Sequence, residues 1–163
     1  MTVSENILTT HQTVIESCSL YNIAPRSNAR AWEPQHLLWR GNMILEELLS
    51  LDESNYSAMS RPSLYRFRFV SEKKRGVDKE DTHSSQRLFC ETQVICSIKQ
   101  FRTVLQKREK WYQVAMLCEG QYKHQIALEL RINDSHQLRI FEDHVLRIRD
   151  EQEILQEMYE DYE

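Results

Sequence analysis

Glycine is nearly absent from this chain. Its 163 residues contain three, Gly41, Gly76 and Gly120, where average usage of about 7% gives roughly eleven. Each stands more than thirty residues from the next. Phosphate and dinucleotide sites need clustered glycines so that the backbone can approach the ligand. A P-loop, a Rossmann turn and a G-x-S-x-G nucleophile elbow are therefore excluded. Hydrophobic residues make up 40% and charged residues 28%, enough apolar material for one core but not two.

The hydrophobic periodicity predicts an α+β fold. Val3, Ile7, Leu8, His11, Val14, Ile15 and Cys18 recur at three- and four-residue steps, the pattern of an amphipathic helix. Leu37, Leu38, Gly41, Ile44, Leu45, Leu48 and Leu49 predict a second helix, from Pro34 to about Leu51. Gly41 lies within that stripe, where a missing side chain lets another backbone come close. The period then changes to two. Tyr65, Phe67 and Phe69 alternate with Arg66 and Arg68, as on a half-buried strand. A long strand is expected over Leu88–Ile98, with others at Phe101–Leu105, Trp111–Cys118, Ile126–Ile132 and Leu138–Ile140. Phe141, Val145, Ile148, Leu155, Met158 and Tyr162 predict a terminal helix whose stripe Gln152 interrupts. The expected domain thus comprises two N-terminal helices (1–54), a five- to six-stranded antiparallel meander (62–140) and an acidic helix (141–163). Ser71–Ser85, with eight charges and little apolar content, is expected to be a mobile loop within the sheet region.

No secretory signal or membrane span is visible. The four cysteines include no C-x-x-C pair. Cys90 and Cys96, on one straight strand, would lie roughly 20 Å apart, against the 7 Å or so that a disulfide tolerates. Reduced thiols in an intracellular protein, cytoplasmic or nuclear, are the expectation.

The net charge of −4 conceals a partition. Residues 1–60 carry three basic and seven acidic side chains, residues 61–141 sixteen and nine, and residues 142–163 two and nine. The sheet region is basic and the last helix acidic. Glu157, Glu160 and Asp161 sit at the negative end of the helix dipole, an unfavourable place unless a basic surface meets them.

Residues for four kinds of site can be sought in the chain. Arg61, Arg66, Arg68, Lys73, Lys74 and Arg75 surround Tyr65, Phe67 and Phe69, supplying cations and stacking faces for nucleic acid. On a strand, however, the arginines and aromatics point to opposite faces. No cysteine or histidine pair has the spacing of a structural zinc site, and no cofactor is expected. His11 lies on an apolar stripe, and His144 beside Asp143 cannot face it on a helix; no catalytic constellation emerges. A small ligand-binding barrel remains an alternative. The leading expectation is a non-catalytic interaction subunit, an adaptor or scaffold whose protein partner offers a basic surface. Trp32, Trp39, Glu157, Glu160 and Asp161 are its candidate contacts, and nucleic-acid binding is the alternative.

Overall fold

A computed structural model describes residues 7–23, 34–50, 63–71, 87–108, 111–118 and 124–160. Its elements in chain order are β1 (Ile7–Ile23), β2 (Pro34–Ser50), β3 (Leu64–Val70), β4 (Leu88–Glu91), α1 (Ile98–Val104), β5 (Leu105–Lys107), β6 (Tyr112–Cys118), β7 (His124–Ile132) and α2 (Ser135–Glu160). All seven strands form one antiparallel sheet in the order β4-β3-β2-β1-β7-β6-β5. Helix and antiparallel sheet are both present, but strand dominates.

The two expected N-terminal helices are strands, which corrects the fold class and the helical part assigned to 1–54. Broken strand periodicity produced the helical spacing. In β1 the register shifts between Ile15 and Cys18, and Ser17 within that shift has φ 61°. A bulge of this kind turns a two-residue step into a three-residue one, so Ile15 and Cys18 both enter the core. In β2 the cause is burial on both faces. Met43 and Leu45 point into the core, while Ile44 and Glu46 are buried as well. A strand covered on both sides reads as a continuous apolar run, and periodicity alone cannot separate it from a helix. Long-range pairing then overrides the helix propensity of Leu and Glu.

Gly41 keeps part of its expected role. A β-carbon there would collide with the Trp39 indole and with the Val70 carbonyl oxygen. Close backbone approach is the reason for this glycine, although between strands and beneath an indole ring.

The long β1–β2 pair carries two wings. Cys18–Asn22 of β1 pairs with β7, leading on to β6 and β5. Asn42–Leu48 of β2 pairs with β3, leading on to β4. Phe141 of α2 reveals how far these wings curl. Its ring centroid lies 6.3 Å from that of Phe67 on β3 and 5.1 Å from that of Tyr112 on β6. Four strand spacings separate β3 from β6 in the sheet, roughly 19 Å if it were flat. Both wings therefore wrap toward one helix, and Phe67, Phe69, Ile15, Leu20, Met43, Ile95, Met116 and Leu130 fill the space they enclose.

Three further boundaries differ from expectation. β4 ends at Glu91, although the chain stays beside β3: Thr92 N donates to Phe67 O (2.9 Å) and Ile95 N to Tyr65 O (2.7 Å). The expected strand Phe101–Leu105 is mostly α1. Ser97 caps that helix, its hydroxyl accepting from Gln100 N at 3.2 Å, while Gln100 Oε1 accepts from Cys96 N at 2.7 Å. The Ser97-x-x-Gln100 spacing is that of a capping box. Finally, Leu138–Ile140 belongs to α2. Asp134, just beyond the end of β7, starts the helix, its carboxylate accepting from His136 N (2.8 Å) and Gln137 N (3.3 Å). Apart from Ser71, the loop expected at 71–85 lies outside the described residues.

Gln152 is buried where the apolar stripe of α2 breaks, and its Nε2 donates to Ser63 O at 3.4 Å. Beyond it, Ile154 and Met158 are exposed. No helix among the described residues is long and apolar enough to cross a membrane.

Candidate docking groove

β5 is only three residues long: α1 ends immediately before it, and just beyond it Arg108 N donates to Trp111 O (2.7 Å). It pairs with β6 through Leu105↔Val114, Gln106↔Gln113 and Lys107↔Tyr112. On its other side no strand pairs with it among the described residues. Leu105 N–H is taken by Phe101 O at the end of α1; backbone groups left unpaired along such an edge can accept another strand.

Beside this edge runs an open groove of about 580 Å³. β5, α1 and Tyr112 of β6 form one wall and α2 the other. Phe101, Leu105, Val145 and Leu146 line its middle. Leu146 is 47% exposed and points away from the buried stripe of Phe141 and Ile148. Ion pairs close the two ends, Lys107 Nζ–Glu142 Oε2 (3.4 Å) and Arg102–Glu153 (3.6 Å). At the first end the Tyr112 hydroxyl also donates to Glu142 Oε2 at 2.8 Å. Burial, and then the Glu142 carboxylate, push that phenol well above its ordinary range. It therefore remains a protonated donor and holds α2 to the sheet. From Glu142 to Glu153 the helix advances roughly 16 Å, the length of about five extended residues.

Those candidate residues read from the sequence that the structure describes do not line the groove. Trp39 is half-buried, stacked on Phe89 (5.6 Å, 12°) and edge-on to Phe69 (5.8 Å, 90°). Trp32 and Asp161 lie outside the described residues, Glu160 is the last residue of α2, and Glu157 is exposed on that helix. Of the basic set, Arg61, Lys73, Lys74 and Arg75 also lie outside the described residues. Arg66 and Arg68 come together around two carboxylates. Arg66 lies 3.1 Å from Glu46, whose side chain is 1% exposed, and Arg68 lies 3.1 Å from Glu91 and 3.6 Å from Glu46. These two cations are engaged within the sheet.

The acidic helix meets basic and hydroxyl groups of its own chain through other carboxylates than those expected. Besides Glu142 and Glu153, Glu151 accepts a hydrogen bond from the Tyr65 hydroxyl and pairs with Arg147. Sequence reasoning missed the groove. Its one visible signal was Leu146, a large apolar residue off the helix stripe.

A second cluster lies on the outer face of the β7 wing. The Arg131 guanidinium sits 5.4 Å from the Tyr21 ring centre and 5.0 Å from that of Trp111. Glu129, paired across strands with Tyr21 and Gln113, is 1% exposed. Burial pushes its carboxyl up to about 7, against the pull of Arg108 in the other direction. Cys18, also buried, has its thiol pushed up to about 12 by desolvation, which leaves it a packing group. Among the described residues no three His, Cys, Asp or Glu side chains are grouped to hold a metal ion.

Comparison of the chain with protein-family models, curated proteins and solved structures yields no significant match.

Proposed function

We propose that this protein is a non-catalytic interaction module that receives an extended segment of a partner protein in the groove between β5 and α2. One observation carries the reading: an edge strand that pairs with no second strand among the described residues runs beside an open groove whose middle is apolar and whose ends are charged. Strand addition draws affinity from main-chain hydrogen bonds and specificity from pockets for alternate side chains. Leu146 fits the second role, since it exposes apolar surface where an inward-facing side chain of an added strand would lie.

This reading is favoured over a ligand-binding barrel because aromatic and aliphatic side chains fill the space between the wings. It is favoured over nucleic-acid binding through the basic sheet because Glu46 and Glu91 engage Arg66 and Arg68. An intracellular setting, cytoplasmic or nuclear, accords with the unbridged thiols of Cys18 and Cys96.

The test is partner capture with matched surface variants. Leu146→Glu places a charge inside the groove, while Ile154→Glu places one on an exposed part of the same helix that does not line it. Loss of a partner with Leu146→Glu and its retention with Ile154→Glu supports the groove. Equal behaviour of the two variants contradicts it.

A further inference from the structure

We infer that the groove selects an extended segment that reads, from its N-terminus, basic–x–apolar–x–acidic. This rests on the docking reading above and adds the chemistry of the occupant.

Six charged side chains line the groove, three of each sign. Four of them are committed to each other, Lys107 with Glu142 and Arg102 with Glu153. The other two, Asp143 and Arg149, make no ion pair among the described residues, and both are exposed. They leave one uncommitted negative and one uncommitted positive charge on the same wall. Asp143 lies toward the end held by Lys107 and Glu142, and Arg149 toward the end held by Arg102 and Glu153. Leu146 stands midway between them in sequence, so the uncommitted charges flank the exposed apolar surface.

Six helical steps lead from Asp143 to Arg149, an advance of about 9 Å. In an added strand, side chains facing the groove recur every second residue, so alternate ones lie about 6.6 Å apart and the next about 13 Å. A central apolar side chain over Leu146 then has its neighbours on that face near the two charges. Long basic and acidic side chains close the remaining few ångströms. A cation belongs opposite Asp143 and a carboxylate opposite Arg149.

The sheet supplies the direction. Every pairing in it is antiparallel, and antiparallel pairing is the slightly more stable arrangement per residue. β5 runs from Leu105, near Arg102, toward Lys107, near Glu142. A segment antiparallel to it enters at the Asp143 end and leaves at the Arg149 end. Its basic residue therefore comes first.

The experiment uses two fluorescein-labelled peptides with Gly-Ser flanks, one with the core Lys-Thr-Leu-Thr-Glu and the other Glu-Thr-Leu-Thr-Lys. Binding to the full chain is followed by anisotropy at low salt. The first peptide should bind about three- to tenfold more tightly, the range that two exposed charge contacts supply. The double variant Arg149→Glu with Asp143→Lys should reverse the order. Equal binding of both peptides, lost for both with Leu146→Glu, would overturn the charge inference and leave the groove standing. Preference of the wild-type chain for the second peptide would overturn the antiparallel direction. Absence of binding, or binding indifferent to Leu146→Glu, would overturn the groove reading and this inference together.

Discussion

The Tyr112 hydroxyl donates a 2.8 Å hydrogen bond to Glu142, joining β6 to α2 at one end of the groove. Loss of a hydrogen bond to a charged, half-buried acceptor costs about 1–2 kcal/mol. Tyr112→Phe keeps the ring against Phe141 while removing this bond. It should lower urea stability by that amount without changing the slope of the transition. A variant as stable as wild type would show that the bond does not secure the helix.

Glu129 should make the folded state less stable as the solution turns from acidic to neutral. Its carboxyl titrates near 7 in the fold against an ordinary value of 4.5, so between those values the folded state holds more protons than the unfolded one. Stability must then fall as pH rises through that window. Glu129→Gln should remove this slope and stabilise the protein at pH 8 by about 1–3 kcal/mol. Urea titrations at pH 5 and pH 8 measure both effects. Parallel pH profiles for the two proteins would contradict the assignment.

Gly41→Ala should destabilise the protein by about 1–3 kcal/mol through overpacking, because a backbone oxygen, Val70 O, occupies the space along with the Trp39 ring. Displacement of the indole from Phe89 should also change tryptophan fluorescence. A rise in melting temperature would show that the site yields without cost.

At Ser17 the opposite sign is expected. A side chain at φ 61° costs roughly 1–2 kcal/mol, which glycine avoids. Against that, glycine loses more chain entropy on folding. Ser17→Gly should therefore be neutral or stabilising by up to about 1 kcal/mol, and Ser17→Val clearly destabilising, in thermal melts. Strong destabilisation by glycine would show that the serine side chain holds the bulge.

The sequence was most legible where strands have one wet face. Tyr65, Phe67 and Phe69 are buried and alternate with half-exposed Arg66 and Arg68, and the strand expected to end at Ile132 ends there in β7. It misled where a tertiary feature disguised the period. The bulge at Ser17 mimicked a helical step in β1, and two-sided burial around Met43–Glu46 mimicked a helix stripe in β2. At α1 the signal was present in the Ser97-x-x-Gln100 spacing, but Ile98, Phe101 and Val104 are too few to display a helical period. The groove was illegible for a different reason. Its edge strand and α1 are contiguous, but β6 and β7 separate them from α2 in sequence, and only the curl of the sheet around Phe141 brings their side chains onto one site.

Addition of a partner segment to β5 as a strand is read out by nuclear Overhauser contacts between isotope-labelled protein and an unlabelled peptide of the Lys-Thr-Leu-Thr-Glu core. Cross-strand contacts from the peptide backbone to Leu105–Lys107, together with contacts to the Leu146 methyls, are the predicted result. A bound peptide whose contacts fall instead around Trp39 and Phe89 on the β4 side of the sheet would contradict it.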